Sequence, residues 1–430
     1  MPAGLRRDLG TIESYAAIIG ILIGAGIFKV TSDAWALTGP SVILGYFVLA
    51  PAVLATSVAY SVFVSTPLGK EPGGEYAHIS RTFGGYRVAF IGVWLKIISY
   101  IGALAYLSRA FADYAGGGMP AAVAILLFFY AIHVIGVRWF GRIQVWMCIV
   151  LGLSLIVLIV PGLFAIRPAN YRPFITHGIG GFAATLPMLF FAYAGFESLA
   201  QTAGEVRDST RRLPRVFLLG ITATMIIYLL MSIVAIGVLP GQSMTAVASR
   251  YLPGGAEIII TVGALMAITT SLNATMIVPS RVAIMLAEDR LAPKWLGKVS
   301  PRTGTPIIGL TITAAAALIL LLSGEVGLAL NIAVFALVVL YFLHSYTLLM
   351  LPTRNRKLFE SVTVRIPLWL QRVSAVVSMI AMGGIIALQL TSIATVELAA
   401  IWAAVGVLIY VITNRGAARG IEDAEKAKLA

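Results

Sequence analysis

The sequence predicts an all-α membrane protein that crosses the bilayer many times. Of its 430 residues, 59% are hydrophobic and only 11% are charged, and the mean hydropathy is +0.95. A soluble globule of this length needs more polar surface than that composition supplies. The apolar runs exceed about 18 residues, which is long enough for a transmembrane helix and far longer than the alternating strands of a membrane β-barrel.

Hydropathy along the chain indicates twelve transmembrane helices. Because this number is even, both termini are expected on the same side of the membrane. The predicted spans are, approximately, residues 12–37, 41–65, 87–114, 120–138, 142–166, 180–203, 214–239, 257–287, 305–324, 326–352, 367–391 and 394–413.

The 31 lysine and arginine residues predict the orientation. With the N-terminus in the cytoplasm, 25 of them lie in cytoplasmic segments, three in outer segments and three within spans, in agreement with the positive-inside rule. The formal net charge of +13 then reflects topology, and no nucleic-acid partner is expected. We expect a multi-pass protein of a cell membrane, of the prokaryotic inner-membrane type, with both termini and a polar tail at 414–430 in the cytoplasm. The oligomeric state is left open.

The first predicted span contains a glycine cluster that is unfavourable in a helix. Gly20 to Lys29 reads GILIGAGIFK, and each glycine costs roughly 1 kcal/mol relative to alanine within a helix. Backbone groups freed at this depth find no water in lipid, so non-helical backbone is tolerated only where it lines a cavity or packs on protein. We therefore predict that the helix is interrupted near Gly24.

The sixth predicted span has a second anomaly. Between Thr185 and Ala203 an apolar helix is interrupted by Gly195 and carries the carboxylate of Glu197 near mid-membrane. Two interrupted helices at corresponding positions in the two halves of a chain indicate the midplane binding site of a transporter.

These two stretches resemble the first and sixth transmembrane helices of the amino acid–polyamine–organocation (APC) superfamily. The glycine cluster matches the first helix, and Phe-Ala-Tyr-Ala-Gly-Phe-Glu at 191–197 matches the sixth. The resemblance extends to Pro-Gly-Gly-Glu-Tyr at 72–76, Gly-Glu at 204–205 and Ala-Glu-Asp-Arg-Leu-Ala-Pro at 287–293. These motifs follow one another in the order of the family along nearly the whole chain.

The resemblance implies a LeuT-like fold in a single transporter domain at residues 1–413. This domain would contain two inverted five-helix repeats, at 12–166 and 180–352, followed by two further helices at 367–413. The resemblance also implies secondary active transport of an amino acid or related small amine by alternating access, through proton-coupled symport or exchange. A substrate-gated channel or a non-transporting amino acid sensor on the same fold is the alternative.

An interrupted helix offers bare backbone groups to a ligand, with amide donors at the start of one half and carbonyl acceptors at the end of the other. We expect the backbone of Gly24, Ala25 and Gly26 to bind the carboxylate of an amino acid. The carbonyls that we expect to bind its amine are those around Phe191, Ala192 and Ala194. The alternative role for the glycines is close packing between helices.

Two aromatic residues beside the second interruption are candidate gates. The family resemblance suggests that Phe191, six residues before Glu197, matches an aromatic residue that closes over bound substrate. Phe196 is a second candidate gate. Packing within the membrane domain is the alternative role for both residues.

Glu197 and Lys96 are ionisable residues deep within predicted spans, where a charge costs several kcal/mol unless it is neutralised, paired or hydrated. Glu197 can carry a coupled proton or bond the interrupted backbone. Counted from Trp94–Leu95, Lys96 resembles a substrate-contacting position that is typically small in the family, which argues against a large cationic substrate. Lys96 can pair with Glu197, attract an anionic substrate group, change protonation during transport or snorkel to the membrane surface. The nearby Ser99 and Tyr100 complete the predicted substrate site.

The eighth predicted span contains Thr270 and Ser271, whose hydroxyls can help to bind a sodium ion or can bond a neighbouring helix. No cofactor is expected. The chain has four histidines and one cysteine and no glycine-rich phosphate loop followed by lysine and serine or threonine. We therefore predict that it is not an enzyme.

Charged residues between Glu205 and Pro214 are expected to lie in the cytoplasm. They can form ion pairs with the first cytoplasmic loop, Pro67 to Tyr86, when the inner side of the transporter is closed. The alternative is a solvated loop that simply follows the orientation rule.

Overall fold

The structure is a computed structural model that describes residues 5–24 and 26–429, with side chains at 29, 326, 328–330 and 414–429 left undescribed. Ala25, one of the predicted substrate-binding residues, lies outside the described residues. The described part of the chain is helical and forms no β-sheet.

The described residues contain eighteen α-helices, several of them too short to cross a bilayer. In chain order they are α1 (Thr11–Leu22), α2 (Thr31–Thr38), α3 (Val42–Val64), α4 (Glu75–Phe83), α5 (Arg87–Ala115), α6 (Gly118–Ile135), α7 (Val137–Phe164), α8 (Gly178–Tyr193), α9 (Ser198–Gln201), α10 (Ser209–Val238), α11 (Met244–Ala248), α12 (Glu257–Met276), α13 (Val278–Glu288), α14 (Ile307–Ser323), α15 (Val326–Arg354), α16 (Arg356–Glu360), α17 (Leu368–Gln389) and α18 (Ile393–Leu429).

Within the described residues, eleven helical stretches are long and apolar enough to cross a membrane. The predicted all-α, multi-pass class is therefore confirmed. The expected span at 305–324 is α14, whose 17 residues extend about 26 Å at 1.5 Å per residue. That length is less than the roughly 30 Å hydrocarbon core of a bilayer, so the count of twelve remains a prediction.

The first span is discontinuous. After α1 ends at Leu22, the next helical element is a π-helical turn at Gly26–Val30, which leads into α2. A Cβ added to Gly26 would lie 2.6 Å from the Cα atom of Ala192 in α8. The first interruption thus touches the sixth span, and only glycine at position 26 allows this approach without a backbone shift.

The sixth span is discontinuous as well. α8 ends at Tyr193, Ala194 is extended, and the helical path resumes only at α9. Gly195 has a φ of +106°, in the region where an L side chain is strained. The chain therefore turns at Gly195 because glycine stands there.

α4 lies between the second and third spans and carries an acidic residue into the protein interior. Gly74, which precedes it, has a φ of +45°, and a Cβ there would lie 2.4 Å from Nε2 of Gln201. Glycine thus allows the N-terminus of α4 to approach α9. α4 packs against α5 and α15, and its first residue, Glu75, is fully buried.

The C-terminal tail predicted at 414–430 continues α18 as a helix as far as Leu429. Its location in the cytoplasm remains a prediction. The division of the domain into inverted repeats at 12–166 and 180–352 also remains a prediction.

Candidate functional site

A cavity lies where the two interrupted helices meet, and α5, α12 and α15 complete its wall. Its described wall includes seven of the predicted substrate-binding residues. These are Gly24, Gly26, Ser99, Tyr100, Phe191, Ala192 and Ala194. The structure therefore brings residues from three distant parts of the sequence to one chamber.

The backbone at the two interruptions is partly engaged in local turns. The Gly24 amide donates to the Leu22 carbonyl at 2.8 Å, and the Ala194 amide donates to the Phe191 carbonyl at 3.1 Å. A carbonyl oxygen has two lone pairs, so one such bond leaves it able to accept a second donor. The carbonyl side of the predicted site thus retains acceptor capacity.

Tyr228 in α10 joins the two interruptions, and the sequence analysis missed it. Its hydroxyl lies 2.6 Å from the Ala192 carbonyl and also within hydrogen-bonding contact of the Leu22 carbonyl. A hydroxyl has one proton, so it donates to one of these carbonyls at a time. The Tyr46 and Tyr193 rings pack against Tyr228, with centroids 5.5 and 4.9 Å away. The only hint in the sequence is a tyrosine inside an apolar span, since a buried tyrosine hydroxyl usually needs a partner.

Ser271 and Thr270 in α12 bond the end of α1. The Ser271 hydroxyl donates to the Ile21 carbonyl at 2.8 Å or the Gly20 carbonyl at 3.1 Å, and the Thr270 hydroxyl lies 2.9 Å from the Gly20 carbonyl. Ser271 also lines the cavity, whereas Thr270 does not. These contacts correspond to the helix-bonding alternative, and a sodium site at this pair remains a prediction.

Glu197 bonds the interrupted backbone and two tyrosines. It accepts hydrogen bonds from the Gly195 amide at 3.1 Å, from the Tyr100 hydroxyl at 2.6 Å and from the Tyr341 hydroxyl in α15. The carboxylate is fully buried. It therefore connects the turn after α8 to α5 and α15, as expected for a structural carboxylate, while a coupling role remains a prediction.

Lys96 pairs with Glu75, not with Glu197 as one of our alternatives had it. Its Nζ atom lies 2.8 and 3.0 Å from the two carboxylate oxygens of Glu75, and its side chain is 1% exposed. The snorkelling alternative is wrong for this structure because the ammonium group ends inside the protein. Lys96 also does not line the cavity, although Tyr100 one turn later does.

The partners of Glu75 complete a buried charge cluster of Glu75, Lys96, Tyr60 and Gln201. The Tyr60 hydroxyl and the Gln201 amide each donate to the Glu75 carboxylate at 2.5 Å. Sequence reasoning noted Glu75 only as part of the Pro-Gly-Gly-Glu-Tyr motif. The charge of Lys96 required a partner, but the motif gave no sign that α4 would supply it.

The two candidate gates differ in their surroundings. Phe191 lines the cavity and contacts the ring of Tyr106 edge-on, with centroids 5.5 Å apart. Phe196 is fully buried and stacks on Tyr341 at 5.2 Å. The structure thus places Phe191 where it can cover a ligand, whereas Phe196 does not line the cavity and occupies a packing position.

The expected ion pairs between residues 205–214 and the first loop are not those that form. Glu205 makes a two-point ion pair with Arg281 of α13, at 2.8 and 3.1 Å, and both side chains are 1% exposed. Arg81 of the first loop instead pairs with Asp289, just after α13. The ion-pair alternative is wrong for Glu205, because its partner is Arg281 in α13, while Arg81 pairs with the residue that follows α13.

Several groups in α4, outside the membrane-spanning segments, are electrostatically perturbed. Burial, with a smaller effect from the Lys96 charge, lowers the pKa of His78 to about 3. His78 Nδ1 lies 2.9 Å from Nε2 of His344. Burial and the neighbouring Asp289 raise the pKa of Tyr76, whose hydroxyl donates to that carboxylate at 2.7 Å. α4 is thus held in place by buried polar contacts along its length.

Comparisons with known proteins show which family the chain belongs to. Residues 9–410 match the family model described as amino acid permease. Over 339 residues the chain is 26% identical to the branched-chain amino acid permease of Bacillus subtilis (strain 168), covering 71% of this chain and 72% of that protein. It is 26% identical over 389 residues to the serine/threonine exchanger of the same strain, covering 85% and 87%. Its identity to the methylthioribose transporter of that strain is 26% over 346 residues, covering 73% and 74%.

The family match runs from the residues just before α1 into the membrane-spanning part of α18 and includes both interruptions. The relatives are transporters and not enzymes, in agreement with the prediction from the sequence. On this match, the chain belongs to the amino acid permease family within the APC superfamily of transporters.

Proposed function

We propose that this protein is a secondary active transporter of amino acids or related small amines, working by alternating access around the two interrupted helices. The observation that carries the proposal is the cavity between them, walled on one side by Gly24 and Gly26 and on another by Ala192 and Ala194. In lipid, free backbone amides and carbonyls at these interruptions would lack hydrogen-bond partners, whereas a bound ligand can supply them.

The substrate would be held by its zwitterionic backbone. Its carboxylate would face the start of the π-helical turn at Gly26–Val30, and its amine the carbonyls near Ala192 and Ala194. Helix ends favour these charges because of the aligned peptide dipoles. Among the described residues, the cavity wall has no ionised side chain that would compete for either group.

The buried charges would supply coupling to protons or to counter-exchange. Glu197 holds the turn at Gly195 to Tyr100 and Tyr341. Protonation of Glu197 would turn one of its acceptor oxygens into a donor, so at least one of its present hydrogen bonds would have to reverse its direction or break. In our proposal this rearrangement frees the segment after α8 during transport.

Lys96 would affect transport by holding α4 in position. The Lys96–Glu75 pair fastens α4 to α5, and the pairs Glu205–Arg281 and Arg81–Asp289 close the same side of the molecule. We propose that this is the cytoplasmic side, because most basic residues lie in the segments that include these loops. Opening toward the cytoplasm would then require these contacts to separate.

Transport by the full-length chain in liposomes tests the proposal. We expect uptake of at least one labelled amino acid, accelerated by unlabelled substrate inside the vesicles or by an imposed pH gradient. The proposal is overturned if no member of an amino acid and polyamine panel is moved or bound. Flux far above carrier rates that neither internal substrate nor a pH gradient accelerates would instead indicate a channel, and binding without flux would indicate a sensor.

Substituting Glu197 tests the coupling part of the proposal. We expect Glu197→Gln to reduce gradient-driven accumulation by roughly tenfold or more, since a hydrogen bond to a charged group contributes about 1.5–3 kcal/mol, while equilibrium binding changes less. Glu257→Gln is the matched control, because Glu257 also accepts from an amide two residues earlier, Gly255, but is exposed.

Lys96→Ala should shift the pH dependence of uptake or the substrate range. Unchanged pH profiles in both Glu197→Gln and Lys96→Ala would remove these two residues from coupling. Loss of accumulation in the Glu257→Gln control would show that the readout responds to any lost carboxylate.

A further inference from the structure

We infer that the cavity selects neutral amino acids with compact aliphatic side chains. This inference rests on the proposed function and concerns the part of the wall that the substrate backbone leaves uncovered. That part is formed by Ala103 and Leu107 of α5 and by Ala333 and Leu337 of α15. These side chains offer only apolar surface, which favours an apolar group by the area that both remove from water.

Among the residues that the structure describes, no ionised side chain lines the cavity as a counter-ion for a charged substrate side chain. Lys96, one helical turn before Tyr100 on α5, is committed to both oxygens of Glu75. Glu197 already accepts three hydrogen bonds and does not line the cavity. A lysine, arginine or glutamate side chain would therefore lose its hydration without gaining a partner, which is strongly unfavourable.

The hydroxyl groups that line the wall include two whose protons are already in use. Ser99 donates to the carbonyl of Ala333 at 2.9 Å, and Ser271 donates to the end of α1. A polar substrate side chain would have to displace these bonds to obtain a donor from either serine. An aliphatic side chain needs no hydrogen bond and leaves these bonds intact.

The size of the cavity limits the side chain as well. Its volume is about 40 Å³, whereas a single water molecule needs roughly 10–15 Å³ on the same kind of measure. Leu337 and Leu107 are almost completely buried, at 5% and 4% exposure, so they cannot swing into solvent to make room. Alanine and the branched aliphatic amino acids suit this space better than phenylalanine, tryptophan or arginine.

Competition binding to the purified full-length protein tests this inference, with tritiated L-valine as the probe. We expect alanine, valine, leucine and isoleucine to compete at concentrations at least about tenfold lower than lysine, arginine, glutamate or phenylalanine. Tighter binding of a charged amino acid than of every aliphatic one overturns the inference while leaving the proposed function intact. If neither valine nor any other amino acid binds, both the inference and the proposed function fail.

Two substitutions test the assigned wall directly. Leu337→Ala should improve the affinity for phenylalanine relative to that for valine by roughly tenfold. Removing methylene groups from an apolar pocket changes discrimination between ligands by that order. Leu340→Ala is the matched control, since Leu340 lies in α15, is fully buried and does not line the cavity. Its phenylalanine-to-valine ratio should stay at the wild-type value.

Ala103→Val provides an independent measurement if Leu337→Ala does not fold. This substitution narrows the cavity, so we expect the affinity for leucine to fall by a larger factor than the affinity for alanine. The wall assignment is wrong if the folded Leu337→Ala protein has the same phenylalanine-to-valine affinity ratio as Leu340→Ala. It is also wrong if Ala103→Val lowers the affinities for alanine and leucine equally.

Discussion

The wall of the cavity and the buried charge cluster lie one helical turn apart on α5, at Tyr100 and Lys96, yet they use different chemical groups. The wall exposes backbone and small or apolar side chains. The cluster consists of a carboxylate, an ammonium group and their polar partners, all removed from solvent. Backbone groups are fixed by the fold and suit recognition, whereas side-chain charges can change partner or protonation and suit movement.

The cluster should be the more sensitive of the two regions. Glu75→Ala or Lys96→Ala leaves one buried charge without its partner, and we expect a loss of about 3–5 kcal/mol in the free energy of unfolding. Thermal unfolding in detergent measures this loss. Arg109→Ala is the control, because the Arg109–Asp113 pair is nearly half exposed and should contribute less than about 1 kcal/mol.

The double variant Glu75→Gln with Lys96→Met sharpens the same comparison. It removes both charges together, so most of the stability should return while the pH dependence of transport changes. Equal stability losses in the single and double variants would mean that charge pairing is not what these residues contribute.

Gly26→Ala tests whether the cavity wall depends on close backbone approach. The added Cβ would lie 2.6 Å from the Ala192 Cα atom, and backbone on both sides must shift, so we expect substrate binding to fall by roughly tenfold or more. Gly152→Ala in α7 is the control, since a Cβ there meets nothing within 4 Å. Normal binding by the Gly26→Ala protein would contradict the assigned geometry.

Tyr228→Phe tests the bond that joins the two interruptions. Removing one hydroxyl costs roughly 1 kcal/mol, so we expect about a fivefold weaker substrate affinity with the ring packing retained. Tyr193→Phe is a suitable comparison, because its hydroxyl makes a longer bond, 3.3 Å, to the Tyr46 carbonyl. Substrate affinities that change equally in both variants would show that Tyr228 has no special place at the site.

The smallest effect concerns His78. Because its folded pKa lies near 3, below the ordinary 6.5, the unfolded state binds more protons between these values, and stability falls as the pH decreases below about 6.5. His78→Asn should flatten this decline by about 1 kcal/mol between pH 7 and pH 5.5. The exposed His177 provides the control substitution, His177→Asn, which should retain the wild-type slope.

Seven of the predicted substrate-binding residues line one cavity, because local chemistry leaves few alternatives there. A glycine cluster inside an apolar span is costly unless the backbone is used, and the same argument applied to Gly195. The partner of Lys96 was predicted less successfully. The burial of a lysine implied a partner, but the true partner, Glu75, stands 21 residues away in a loop that was expected to be cytoplasmic.

The family, the all-α membrane class and the approximate positions of the spans follow from the sequence alone, because hydropathy and glycine placement act through local physics. The pairing of charges, the Tyr228 bridge and the exclusion of Phe196 from the cavity were decided only by the tertiary structure. Those contacts join α4, α10 and α15 to the interruptions, and which side chains meet there depends on how helices pack. Packing is a property of the assembled chain that no single segment contains.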